Sequence, residues 1–314
     1  MTATLIAIPT FRRPERLRHL LTALGRMKGT EDASILVADN DAAGCAGAIM
    51  AEAMRKSGYP LPMDIIVVAE PGLCSVRNAI ARAALARPDM RYLAMIDDDE
   101  WPEATWLSEL LAVQRRTGAD VVGGPVYPYF PDRRPHWVGE TLVFRPEERP
   151  EGATGMLWAS NNLLVKRRAL ERLDRPWFDP RFSRSGGEDL DFLLRLRHSG
   201  SRFAWAPAAR VAEWVPADRA RLGWVMRRMW RIGITDTMVR RKRTAGARSR
   251  VALVGHALAI LAARTLALPA ILWPGARRVD VAGQWIKSWG RLYALAGGSD
   301  TSYGRPAASG QGDA

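Results

Sequence analysis

The chain has 314 residues, 47% of them apolar and 25% charged, which is enough to bury a large core and excludes a disulfide-stapled miniprotein or a disordered polymer. With 46 basic and 33 acidic residues its formal charge is +13, so a polyanion belongs among its partners: nucleic acid, acidic lipid or a phosphorylated small molecule. Cys45 and Cys74 form neither a CxxC pair nor a disulfide framework, which favours a reducing compartment, and the order of MTATLIAIPTFRR, apolar before basic, is the reverse of a secretory leader.

From Thr4 to Val122 short β-branched runs (TLIAI, SILVA, DIIVV, YLAMI, DVV) alternate with stretches of helical spacing, such as Pro14 to Arg26 and Thr105 to Thr117. This rhythm predicts an α/β fold built on a doubly wound parallel sheet, whose ligand edge lies at the C-terminal ends of the strands. Four polar clusters, PTFRRP, DNDAAG, EPGLCSVRN and DDDEWP, fall at that edge. Beyond Gly123 come a proline-dense stretch, a strand-like WASNNLLV, a helix opening at Glu188, and apolar runs at Phe203 to Trp205 and Val211 to Val215. We read them as completing the same domain. Residues 219–243 have helical spacing, and the segment Arg202 to Arg250 holds thirteen basic against three acidic residues. Val251 to Trp273 is nearly long enough to span a bilayer but is interrupted by His256, Arg264 and Pro269. A further helix is expected over Val279 to Ala296, then a Gly/Ser-rich end predicted to be disordered.

Five segments carry chemistry. Thr10 and Phe11 lie where the first strand meets its helix, so a hydroxyl and an aromatic face are available to a nucleobase; a plain strand-to-helix turn fits the spacing equally. Asp39 ends the second strand, as a ribose-binding acid does and as an Asx turn also would. In AEPGLCSVRNAI, Ser75 suits a helix cap and Arg77 then falls in the first turn, where a cation opposes the helix dipole and implies a nearby anion. Asp97, Asp98 and Asp99 follow a buried-type strand directly. Their mutual repulsion calls for a cation, and oxygen ligands suit Mg²⁺ or Mn²⁺; a solvated acidic turn is the alternative. Finally, a Gly-Gly loop delivers Glu188 and Asp189 to a helix start, a place for N-terminal capping and equally for a general base.

In this order, IPTFRRPERL, EPGLCSVRN, IDDDEWP, WASNNLLV and GGEDLDFLLRLRHSG resemble the family 2 glycosyltransferases of the GT-A fold, in the bacterial exopolysaccharide branch similar to succinoglycan glucosyltransferases. The resemblance covers about residues 4 to 235. It implies an inverting hexosyltransferase whose Thr10 and Asp39 contact the uracil and ribose of a UDP-sugar, with Arg77 against the nucleotide. Asp97 and Asp99 would hold Mg²⁺ or Mn²⁺ on the diphosphate, Asp98 would sit nearer the sugar or ribose, and Asn161 and Asn162 would line the donor-sugar and acceptor side. Asp189 is preferred to Glu188 as the base. Relatives carry a downstream histidine ligand where this chain has Glu213, which leaves Glu213 as the candidate third metal ligand.

The implied partners are a UDP-sugar, a saccharide acceptor, with a polyprenyl-diphosphate-linked one in view, and an anionic membrane surface; nucleic acid is not expected. The division expected is a catalytic domain over 1–235, a basic and apolar helical extension over 236–296 and a tail over 297–314, with peripheral attachment to the cytoplasmic face of the inner membrane. Two competing classes have weaker support: a nucleic-acid binder is disfavoured by the acidic cluster, and a sugar nucleotidyltransferase would need a Gly-rich loop where PTFRRP stands.

Overall fold

The computed structural model describes residues 3–244, 246–272 and 276–300. The first half alternates as its pattern predicts: β1 (Thr4–Thr10), α1 (Pro14–Leu24), β2 (Ala33–Asp39), α2 (Ala46–Lys56), β3 (Met63–Val67), α3 (Leu73–Leu85) and β4 (Tyr92–Ile96). There follow β5 (Glu100–Pro102), α4 (Trp106–Thr117), β6 (Val121–Gly123), β7 (Val126–Tyr129), β8 (Gly152–Thr154), β9 (Asn162–Lys166), α5 (Arg167–Glu171), α6 (Glu188–His198), β10 (Phe203–Trp205) and β11 (Val211–Trp214). Three long helices close the described chain: α7 (Leu222–Arg243), α8 (Ala247–Leu266) and α9 (Ala276–Leu295).

The main sheet has the order β3-β2-β1-β4-β9-β6-β10-β8. β1, β2 and β3 pair in parallel, as do β1 with β4 and β6 with β10. It is not parallel throughout. β9 runs antiparallel between β4 and β6, so WASNNLLV returns to the centre of the sheet and brings Ser160 and Asn161 to the ligand edge of β4. A second sheet, β5-β11-β7, stands beside that edge.

All seven residues of β1 and of β2 are buried, which is why these strands read as continuous apolar runs and not as alternating ones. Side chains divide between the two faces. Leu5, Ala7 and Leu36 pack with α3, α5 and α6, whereas Ile6, Ile8 and Ile35 pack with α1 and α4. α1 buries Leu17, Leu20, Leu21 and Leu24, the i, i+3, i+4, i+7 stripe, and opens on Pro14, whose missing N–H is lost at no cost in a first turn. Each fully buried leucine contributes roughly 1.5–3 kcal/mol.

The expected boundary at 235 falls inside α7. Val239 belongs to the core beneath α3 and α6, and Lys242 Nζ reaches Asp191 on α6 at 2.8 Å and Asp179 at 2.7 Å. α7 is therefore part of the catalytic body, and α9 packs on it closely: a Cβ on Gly233 would collide with the Lys287 carbonyl, and one on Gly290 with the Trp230 carbonyl. α8 differs. Arg248–Leu266 is long and apolar enough to cross a bilayer by length and composition, yet Val251, Val254, Leu258 and Leu266 are exposed. Trp273 and residues 301–314 of the expected tail lie outside the described residues.

Candidate active site

The end of β4 is the centre of the site. Asp97, Asp98 and Asp99 emerge there between the β1–α1 loop on one side and α3 and α6 on the other; Asp98 and Asp99 share Arg13, and Asp97 faces Arg77.

Asp98 is a structural anchor. Its Oδ2 accepts from the Thr10 hydroxyl at 2.8 Å and from the Phe11 N–H at 3.4 Å, while Arg13 Nη1 donates to its Oδ1 at 3.1 Å. Burial pushes its carboxyl up to about 6, against the pull of Arg13. Thr10 is thus committed to the protein and does not present its hydroxyl to a base, but Phe11 is 44% exposed at the lip. Between them and α1 the chain turns through Arg12, at φ +55°, so that Arg12 pairs with Asp41 at 3.2 Å and Arg13 swings to the acidic cluster.

Asp99 accepts from Arg13 at 2.8 Å, with Arg16 at 3.7 Å and Arg219 at 4.0 Å. Asp97 lies on the other flank, 3.3 Å from Arg77 Nη2, and Arg77 Nη1 is 3.0 Å from Asp189 Oδ1. Loss of solvation raises the Asp97 carboxyl to about 7, opposed by Arg77 and reinforced by Asp99 and Asp189. Arg77 is buried, and its guanidinium lies 5.6 Å from the centre of the Phe178 ring. The first-turn expectation for it is corrected here: α3 starts at Leu73 behind Gly72, so Ser75 is inside the helix and Arg77 lies a full turn in. Its charge answers Asp97 and Asp189, not the helix end.

Asp189 also accepts from Ser160 Oγ at 2.5 Å, and its side chain is 24% exposed. Glu188 is buried. It is held by its own backbone N–H, and burial with the Asp189 charge raises it to about 7. Glu188 is therefore turned into the protein at the start of α6, and Asp189 keeps the more exposed carboxylate.

Three expected contacts are relocated by the fold. Asp39 is fully buried, with Oδ1 accepting from the Asp41 N–H at 2.9 Å and Oδ2 from the Ala48 N–H at 2.8 Å; it ties the β2 turn to α2 and is out of reach of a ribose. Asn162 is likewise buried, accepting from Trp106 Nε1 at 2.8 Å and donating to the carbonyls of Pro125 and Ala209 at 3.0 and 2.8 Å. It locks β9 in place and does not line the sugar site, whereas Asn161, beside it, donates to Glu100. Asn162→Ala leaves Trp106 Nε1 and the Ala209 carbonyl unpartnered, while the Pro125 carbonyl keeps the Val211 N–H at 3.2 Å; at about 1–3 kcal/mol each, urea unfolding should show a loss of about 2 kcal/mol or more. Glu213 sits on β11 opposite Glu100 of β5 and pairs with Arg219 at 3.6 Å. Among the described residues no three acidic, histidine or cysteine side chains are arranged to hold a metal ion, so Glu213 does not complete a three-ligand set with Asp97 and Asp99.

Arg13, Glu100 and Ser160 belong to the site without having been expected there. Glu100 accepts from the Asp97 N–H at 2.9 Å, and burial together with Asp97 raises its carboxyl well above the usual range. Carboxyls pushed up by one another's charge form a site that a divalent cation would relieve, and Mg²⁺ characteristically takes one or two carboxylates and completes its shell with phosphate oxygens and water. Asp97 and Asp99 are carboxylates of this kind, and the charge of Asp99 adds to the upward push on Asp97.

A mixed α/β sheet whose strand β4 ends in this acidic cluster, with a loop-delivered carboxylate across the crevice, has the GT-A architecture of nucleotide-sugar enzymes. Residues 5–173 match the profile described as Glycosyl transferase family 2, and the chain belongs to that family. It is 35% identical over 259 residues, covering 80% of each chain, to the succinoglycan biosynthesis protein ExoM of Rhizobium meliloti (strain 1021). The fold is similar to that of the mannosyltransferase PcManGT from Pyrobaculum calidifontis, solved with GDP-Man and Mn²⁺ (TM-score 0.61, 17% identity, 93% of this chain and 87% of that one). It is also similar to S. aureus TarS residues 1–349 with UDP-GlcNAc (TM-score 0.55, 13% identity, 95% and 92%).

Proposed function

We propose that this glycosyltransferase inverts the anomeric centre of a hexose as it moves it from a UDP-sugar to a lipid-linked saccharide, in the synthesis of a bacterial surface or exopolysaccharide, with Mg²⁺ or Mn²⁺. The observation that carries the reading is the Asp97–Arg77–Asp189 chain, which couples the diphosphate end of the site to its base. The name of the relative ExoM supports the polysaccharide context, and the nucleotide sugars bound to PcManGT and TarS support a nucleotide-sugar donor.

In this mechanism Asp189 takes the proton of an acceptor hydroxyl as its oxygen bonds to the anomeric carbon, and the bond from that carbon to the UDP oxygen breaks on the opposite face. One displacement inverts the carbon, and no protein nucleophile is needed. Ser160 and Arg77 orient the Asp189 carboxylate. Arg77 also offers positive charge toward the departing diphosphate, where stabilisation counts most because negative charge grows there. Phe11 offers its exposed ring to the uracil. A divalent ion on Asp97 and Asp99 would supply Lewis-acid stabilisation of the leaving UDP. The test is nucleotide release across a panel of UDP-sugars, with GDP-mannose as comparison and with and without metal. Release from GDP-mannose alone would overturn the UDP assignment.

The same proposal places the protein at the cytoplasmic face of the inner membrane, attached peripherally. Arg240, Arg241 and Arg243 lie in the last turn of α7, and Arg248 and Arg250 begin α8; each basic residue near an anionic leaflet contributes roughly 1 kcal/mol. Arg264 within α8 opposes a simple span, since a charge at mid-bilayer costs roughly 2.5–3.5 kcal/mol on the lenient scale. High salt or alkaline carbonate should therefore release most of the protein, and Leu258→Glu should weaken its attachment. Release only by detergent would show a spanning or re-entrant helix instead.

A further inference from the structure

On the side of Asp98 and Asp99 away from Arg77, a cavity of about 400 Å³ lies between α1 and the small β5-β11-β7 sheet. Its walls are Trp101, Trp214 and His19, its polar rim includes Glu15 and Arg16, and it reaches Asp98, Asp99 and Glu100. Trp214 is in register with Tyr129 on the neighbouring strand, their rings 5.4 Å apart, and Trp101 completes a triangle at 5.3 Å from Tyr129 and 6.0 Å from Trp214. His19 of α1 meets Trp101 edge-on at 4.8 Å, and Arg16 lies 5.8 Å from the centre of the Trp214 ring.

These rings do not serve the core. Trp101 and Trp214 are only partly buried, Tyr129 is 46% exposed, and none belongs to the clusters beneath the sheets. A partly exposed aromatic cluster at the wall of a cavity, rimmed by polar groups and joined to a catalytic crevice, marks a binding site. The ligand chemistry follows from the lining. Aromatic faces match the C–H face of a pyranose, and carboxylates with an arginine match its equatorial hydroxyls. A bare phosphate or diphosphate is disfavoured, because Glu15, Asp98, Asp99 and Glu100 crowd the same space. The volume falls within the roughly 300–1,000 Å³ of small-ligand sites.

We propose that the cavity walled by Trp101, Trp214 and His19 is a saccharide subsite that holds a sugar ring of the acceptor. This rests on the transferase reading above and adds to it where the acceptor chain lies.

The test uses the full chain and short α- and β-linked gluco-oligosaccharides as probes, with binding followed by saturation-transfer NMR and tryptophan fluorescence, and free UDP titrated separately. Wild-type protein should saturate the sugar C–H protons. Trp214→Ala should weaken saccharide binding by about tenfold or more and Trp214→Phe should restore most of it, while UDP affinity in both variants stays within about twofold of wild type. Trp101→Ala should behave as Trp214→Ala does. Absence of saccharide signals from wild-type protein across the panel, or unchanged binding in Trp214→Ala, would overturn the subsite. Loss of UDP binding by wild-type protein would instead overturn the donor assignment, so the two failures are separable.

Discussion

Asp99→Asn is expected to lower sugar transfer by roughly 10²–10³-fold, the range seen when one fixed electrostatic partner is removed from a developing charge, and Asp99→Ala to abolish it. Asp99 is where the acidic cluster meets three guanidiniums, Arg13 at 2.8 Å, Arg16 at 3.7 Å and Arg219 at 4.0 Å. Removing its charge leaves Asp97 as the sole remaining member of the pair suited to a divalent ion and lets the arginines crowd the site. The amide keeps the volume and one acceptor oxygen, so a fold intact by thermal melting would isolate the electrostatic loss. In both variants the gain in UDP affinity on adding Mg²⁺ or Mn²⁺ should disappear. Transfer by wild-type protein that is undiminished in excess chelator would sink the metal requirement.

Asp189→Asn should lower kcat by roughly 10²–10⁴-fold with donor affinity nearly unchanged, as expected when a general base is removed and binding is not. The amide still accepts from Ser160 and can still meet Arg77, but it cannot take the acceptor proton. Glu188→Gln should cost far less, because the Glu188 carboxyl is buried against its own helix start. Should the large loss follow Glu188→Gln instead, the base is Glu188 and the displacement mechanism stands.

What could be read from the chain was the skeleton: five apolar runs, four of them ending in a polar cluster, are enough to place four loops on one sheet edge. The functions of single polar residues at those ends were harder to read. Asp39 and Asn162 have the residue types of ligand contacts, but a strand end also has N–H and C=O groups to satisfy, and both side chains do that work out of solvent's reach. For Arg77 the first-turn argument fails, since α3 begins at Leu73 behind an uncapped Gly72 with φ +120°, two residues before the serine that pattern favours. Arg13, Ser160 and Glu100 carry no local signature at all. Ser160 and the Asn161–Glu100 contact become legible only when β9 is seen to run antiparallel beside β4, a pairing of residues some seventy positions apart that no periodicity encodes, and Arg13 only when the β1–α1 loop is seen against the end of β4.

The crossing of α7 and α9 at Gly233 and Gly290 has a genetic corollary. The exposed apolar helix α8 lies between these two partners in the chain, so it is an interior arm and not a removable tail. A stop codon or frameshift within α8 would also delete α9, stripping the face of α7 whose other side holds Val239 and Lys242 against the catalytic body. Truncation therefore cannot remove α8 and keep α9; changing α8 alone means exchanging Val251, Val254 and Leu258 for polar side chains while α9 stays in place.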